Sequence, residues 1–191
     1  MKNEFLAKSN GETIMEHTEN LINNFKNFFT IYSEINVDKE LLLLACIYHD
    51  LGKINKKFQS KLSGQKQNGE FPHGLLSTSF IDSKSLSENG FDKSDIKVLS
   101  YSVALHHERD ISEIEEEDFE IEIKLMNVEA EHFLKYLEKL QDIYFDYVNK
   151  NTEESLRYPI FKIENETFLA ETKSRKKSIL ICIEIGKGAL L

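Results

Sequence analysis

The chain is poor in the residues that staple or interrupt a fold. It has two cysteines in 191 residues, Cys46 and Cys182, each inside an apolar run and with no C-x-x-C spacing. That excludes a disulfide scaffold and a zinc knuckle and reads both as small buried hydrophobes. Two prolines and eight glycines are too few for the turns of a sandwich or barrel, so the runs of Leu, Ile, Lys, Glu and Asn point to a mainly α domain. Long apolar stretches are missing too. Leu41 to Tyr48 is far too short to span a bilayer, and Met1-Lys2-Asn3-Glu4-Phe5 lacks the apolar region of a signal peptide. A soluble, cytoplasmic protein without a membrane partner is expected. Basic residues are outnumbered, 24 against 33 acids for a net charge of −9, the wrong sign for a module that grips nucleic acid through its overall field. Two bound divalent cations, bringing about four positive charges to one spot, would reverse that sign locally. With 40% hydrophobic residues, no low-complexity window and no fixed repeat, one domain over residues 1–191 is the default.

Apolar spacing organises the chain into helices. Ile14, His17, Leu21, Phe25 and Phe28 recur at steps of three and four, predicting a helix over Thr13 to Tyr32 with His17 on its inner side. Asp38 caps a second helix from Lys39 to about Asp50, ended by Gly52, on which Leu42, Cys46 and His49 share a face. Lys53 to Lys61 forms a short helix with Phe58 as its apolar contact, and Ser63 to Gly69 is a polar loop. Pro72 opens a helix carrying His73, Leu76, Ser77 and Phe80. Ser94 to His107 is another, with Ile96, Leu99, Val103 and His106 at helical spacing and His107 beside them. Further on, Phe119, Ile121, Ile123 and Leu125 alternate with charged residues, a strand pattern, and Tyr158 to Ala170 reads as a hairpin. A small β element in the second half is therefore expected. Between these lies a long helix, Val128 to Asn149, striped by Phe133, Leu137, Leu140, Tyr144 and Tyr147.

Five of the six histidines, at 17, 49, 73, 106 and 107, fall at ends or inward faces of separate predicted helices. Imidazoles on buried faces need partners for their nitrogens, and metal coordination supplies them. Several histidines around one shared acid suit first-row metals. Phosphodiester hydrolysis gains from one metal that activates water and a second that stabilises the leaving oxygen, about 3.5–4 Å apart. Asp50, next to His49, is the natural bridge between them. His132 lies off the stripe of its helix and is set aside as structural or exposed. Lys53 reads either as an ordinary exposed lysine or as a cation near the scissile phosphate. Ser77, without a Ser-His-Asp order or nucleophile elbow, supports the site through a hydrogen bond to a ligand or water. Gly186-Lys187-Gly188 is not a Walker A loop.

The succession Leu6-Ala7-Lys8-Ser9, Glu12-Thr13, His17, His49-Asp50-Leu51-Gly52-Lys53, Phe58-Gln59, His73 with Ser77, and His106-His107 resembles one branch of the HD superfamily. That branch is the HD nuclease domain of the CRISPR-associated helicase-nuclease of type I systems. The resemblance spans about Leu6 to His107. It implies an HD-domain helical bundle in which His17, His49 and Asp50 hold one metal, and Asp50, His73, His106 and His107 the other. Lys53 and Ser77 match supporting positions, and Asp50 and Lys53 are the catalytic candidates. Two divalent ions, drawn from Mn, Fe, Co, Ni or Mg, are the implied cofactors. The implied activity is cleavage of single-stranded DNA in antiviral defence, after a Cascade complex has opened the duplex and a helicase domain has begun to unwind it. The family also has an Asp in an Ala-Asp context on a late helix, for which this chain offers no match before its apolar end, Ala189-Leu190-Leu191. The expectation is a nuclease domain truncated there, with its helicase absent. Two alternatives stand beside the nuclease: an HD phosphohydrolase acting on nucleotides, and a non-catalytic HD scaffold that binds a partner protein. The tandem His106-His107 argues for the nuclease.

Overall fold

The computed structural model describes residues 4–65, 71–107, 116–126, 131–151, 158–161, 163–164 and 167–168. Expectations about Cys182, Gly186-Lys187-Gly188 and the apolar end Ala189-Leu190-Leu191 fall outside the described residues. Eight α-helices organise the described chain: α1 Ile14–Ile31, α2 Lys39–Tyr48, α3 Lys56–Leu62, α4 His73–Ser77, α5 Ser83–Glu88, α6 Lys93–Ala104, α7 Glu116–Lys124 and α8 Glu131–Asn151. Two 3₁₀ turns, Leu51–Ile54 and Thr78–Phe80, follow α2 and α4.

Side-chain caps start α1, α2, α3, α5 and α6. Thr13 and Glu16 form a capping box at α1, with the Glu16 amide donating to Thr13 Oγ1 at 3.1 Å and the Thr13 amide to Glu16 Oε2 at 2.9 Å. Asp38 accepts from the Leu41 amide at α2, and Asp92 pairs with Asp95 in a second capping box at α6. Such caps satisfy amides that have no partner within the helix, each stabilising it by about 1 kcal/mol.

Helix α2 is the centre. Leu43, Leu44, Ile47 and Tyr48 have no solvent exposure, as expected of a helix apolar nearly all round. Burying each of these large side chains contributes about 1.5–3 kcal/mol. Helices α1, α6 and α8 pack around it. The stripes differ in detail from the expected ones. On α1 the buried residues are Ile14, Thr18, Ile22 and Phe25, while His17 and Leu21 lie half-buried on the flank and Phe28 is exposed. Leu42 likewise faces out while Cys46 is buried. Helix α2 ends at Tyr48, so His49 is its C-cap and Gly52 lies inside the following 3₁₀ turn. The helix expected after Pro72 breaks into α4 and a 3₁₀ turn, and α5 follows separately.

The expected β element is corrected. The alternating segment is α7, whose buried contacts, Phe119 and Glu122, stand three residues apart and lead to buried Met126, while Ile121 is exposed. Glutamates and lysine between the apolar residues favour helix, and packing chose the face. The Glu122 carboxylate accepts from Asn55 Nδ2 and Lys57 Nζ, and the Lys56 amide donates to Leu125 O at 3.0 Å. These bonds fasten α7 to the start of α3. In the stretch read as a hairpin, Ile163–Glu164 face Thr167–Phe168; two residues a side fall short of an ordinary strand. The described fold is helical.

Two glycines bring the histidine-bearing segments together. A β-carbon on Gly52 would lie 2.1 Å from His73 O, and one on Gly74 would lie 2.7 Å from Ala104 O and 2.9 Å from His106 Nδ1. Backbone thus meets backbone on both sides of α4. Ser77 locks one side: its hydroxyl accepts from the Gly52 amide at 2.8 Å and lies 2.8 Å from both His49 O and His73 O. Because no flexible side chain can yield at Gly52, Gly52→Ala is expected to destabilise the fold by about 3 kcal/mol, at the upper end of overpacking costs. Urea denaturation measures this; a loss under about 1 kcal/mol would contradict the close approach.

Candidate metal centre

The carboxylate of Asp50 is buried, 1% exposed, at the point where α1, the end of α2, α4 and the end of α6 meet. Its two oxygens face different groups. Oδ2 lies 3.3 Å from His17 Nε2, 3.3 Å from His49 Nε2 and 2.8 Å from Lys53 Nζ. Oδ1 lies 3.2 Å from His73 Nε2 and 3.6 Å from His106 Nε2. The potential ligand atoms of Asp50, His73, His106 and His107 fall within 4.8 Å of one another, and those of His17, His49 and Asp50 do likewise. His106 and His107 stack at 4.1 Å between ring centroids, and His107 meets His73 at 4.8 Å.

All five histidines singled out from the sequence therefore gather around the acid expected to bridge them. Their burial is less uniform than the spacing implied: His73 is buried, His17, His49 and His106 are half-buried, and His107 is exposed. His132 stands apart, exposed and tilted against the Phe5 ring with centroids 4.7 Å apart. Lys53 is not the ordinary exposed lysine of one reading. It is 6% exposed, pairs with Asp50, and lies 5.7 Å from the Phe58 ring centroid. Ser77 touches backbone around His49 and His73 instead of a ligand nitrogen.

Three rings are oriented by bonds on their far nitrogens. His49 Nδ1 lies 2.8 Å from Cys46 O, His106 Nδ1 2.7 Å from Val103 O, and His17 Nδ1 2.9 Å from Glu12 Oε1. With Nδ1–H donating outward, each Nε2 lone pair is directed toward Asp50, the tautomer that a metal ligand needs. The roles of Glu12, Cys46 O and Val103 O were not read from the sequence. A Glu five residues before His17, across the Thr13 cap, has no helical relation to it, and a carbonyl acceptor carries no signature at all.

Burial opposes ionisation of Asp50, but the neighbouring imidazoles of His106, His49 and His73 outweigh it and hold the carboxyl well below the usual carboxylate range. Burial pushes His73 down despite the neighbouring Asp50. His107 is pushed down to about 4, first by burial and then by His106 and His73. At neutral pH these two are therefore uncharged imidazoles, the form that ligates.

Among the described residues, Asp50 Oδ1, both ring nitrogens of His73, and His106 Nε2 are buried without a hydrogen-bond partner. Leaving such groups unsatisfied costs about 1–3 kcal/mol each, and a cation among them would satisfy several at once. One carboxylate with imidazole nitrogens is a fitting donor set for a first-row divalent ion. The Asp50-centred cluster thus offers one or two potential metal sites. No further acid joins the His17 group among the described residues.

A family model described as "HD domain" matches residues 13–143. No curated protein and no solved structure matches the chain. If the cluster takes metal, Mn²⁺ at 100 times its dissociation constant is expected to raise the unfolding free energy by about 2.7 kcal/mol. Thermal unfolding with and without Mn²⁺ reads this, and an equal gain in Asp50→Ala would contradict the site.

Proposed function

Since the chain belongs to the HD-domain family, we propose that it is a metal-dependent phosphohydrolase that cleaves a phosphate ester at the Asp50 cluster. One observation carries the reading: a single buried carboxylate presents its two oxygens to two separate sets of imidazoles. Held there, divalent cations would supply an activated water and neutralise charge on the phosphoryl group. His73, His106, His107 and Asp50 would hold one, and His17 and His49 line the other side of the carboxylate, where Lys53 also lies.

The chain's own groups do the rest. Asp50 stays ionised and fixes the centre of the cluster. Glu12, Cys46 O and Val103 O keep a ring proton on the outer nitrogens, which turns the lone pairs of the inner ones toward the cluster. Lys53 holds a positive charge at Asp50 Oδ2, positioned in advance for a phosphate oxygen and fixed without reorganisation. Gln59 steadies that lysine, donating from Nε2 to Lys53 O at 2.7 Å and to Leu6 O at 2.9 Å.

Two substrate readings follow. The motif order and the tandem His106-His107 support single-stranded DNA, with CRISPR interference as the setting and a helicase domain and the Cascade complex as partners. The net charge of −9 and a match to the HD domain at large support small nucleotides, which need no extended basic surface. Circular single-stranded DNA and a panel of nucleotides, each incubated with the Mn²⁺-loaded chain, separate them. Chelator-sensitive nicking lost in Asp50→Ala is the expected result for DNA, and hydrolysis confined to nucleotides would select the second reading. Turnover of neither by a metal-loaded protein would overturn the phosphohydrolase. With whichever substrate is cleaved, Lys53→Ala is expected to lower turnover by about 10²–10³ at undiminished metal content.

A further inference from the structure

The two halves of the Asp50 cluster are not equivalent, and the difference lies in Lys53. Its ammonium is already on Oδ2 at 2.8 Å, closer than either His17 or His49 Nε2 at 3.3 Å. Oδ1 has no hydrogen-bond partner among the described residues, and the nearest nitrogens, of His73 and His106, stand off at 3.2 and 3.6 Å. Among the described residues, four can offer ligand atoms on the Oδ1 side and three on the Oδ2 side. Within the cluster, the buried atoms without a hydrogen-bond partner among the described residues, Oδ1, both ring nitrogens of His73 and His106 Nε2, all belong to the first group.

We infer that this chain binds one divalent cation tightly, on Asp50, His73, His106 and His107, and that the Lys53 ammonium stands as the built-in cation of the His17–His49 half. The inference rests on the metal-dependent reading above and deepens it. Four donors complete the tetrahedral set that first-row ions accept. Among the described residues the Oδ2 side has three donors, which share the Asp50 carboxylate with an ammonium and leave a dication there both under-ligated and repelled at close range.

Lys53 is built to stay. Its side chain is buried, its ammonium lies over the Phe58 ring, and its carbonyl is held by Gln59. Gln59 is itself clamped, accepting from the Leu6 amide at 3.0 Å and donating back to Leu6 O. The lysine backbone is also bonded within its 3₁₀ turn, its amide donating to Asp50 O at 3.0 Å. A compact ammonium on a fixed stem supplies a point charge for a phosphate oxygen, as a metal would. One dication and one ammonium against the single charge of Asp50 leave two positive charges facing the substrate.

The test counts bound metal. The chelator-treated whole chain, titrated with Mn²⁺ near neutral pH and read by electron paramagnetic resonance of the free ion, is expected to take up one tight equivalent. Lys53→Met is expected to take up two, within about tenfold of each other in affinity, with the coupled signal of adjacent manganese ions. Lys53→Arg, which keeps the charge, stays at one. His107→Ala, a change at an exposed side chain, weakens the tight equivalent by about tenfold or more, whereas His17→Ala leaves it within about threefold. Circular dichroism checks that each variant is folded. Two comparable equivalents in the unaltered protein, a count that stays at one in folded Lys53→Met, or an equivalent lost in His17→Ala and kept in His107→Ala would each overturn the inference and leave the metal-dependent reading standing. Absence of bound manganese in the folded, unaltered chain would overturn both.

Discussion

A charged carboxylate placed out of reach of water is expensive, costing several kcal/mol after relaxation, and the architecture around Asp50 is organised by the need to offset that cost. The Lys53 ammonium offsets part of it at 2.8 Å, and four imidazole nitrogens within 3.6 Å of its two oxygens are placed to bring a cation that would offset more. They arrive from four segments far apart in sequence, so the helices must meet end-on at one point. Remove the acid and the convergence has no electrostatic reason. Remove the convergence and the acid could not stay ionised at 1% exposure.

That point of convergence was the most legible part of the chain. Histidines at the ends of separate amphipathic segments, with one acid beside His49, could be read as a cluster because helix periodicity fixes which residues face inward. The supports were less visible. Cys46 O and Val103 O orient His49 and His106 through main-chain carbonyls, and any residue type has a carbonyl. Gly52 looked like a helix stop, yet it serves a close approach to His73 O, which depends on a segment distant in sequence. The alternation in Phe119, Ile121 and Ile123 pointed to a strand because period two and period 3.6 agree over so few residues. The buried Glu122 and its partners Asn55 and Lys57 broke the tie, and they are tertiary facts.

Helix α7 follows His107 closely in sequence and is fastened to the turn that bears Lys53. Asn55, which caps α3, donates to both the carbonyl and the carboxylate of Glu122. The acidic stretch thus contributes one buried carboxylate that braces the neighbourhood of a catalytic candidate, while its other acids account for part of the net charge of −9. Overall charge and local charge are therefore separate matters in this protein: the chain is acidic as a whole, and the Asp50 cluster is lined with nitrogen.

The glycines on either side of α4 bear on how this sequence can drift. At most core positions a larger residue can be accommodated if a neighbour shrinks, and lineages exchange volume in that way. At Gly52 and Gly74 the nearest obstacles are the carbonyls of His73 and Ala104, which every amino acid carries. No substitution next door can make room, so suppressors of a change at either glycine would have to restore the glycine itself. The two positions are fixed points around which the rest of the helical scaffold is free to vary.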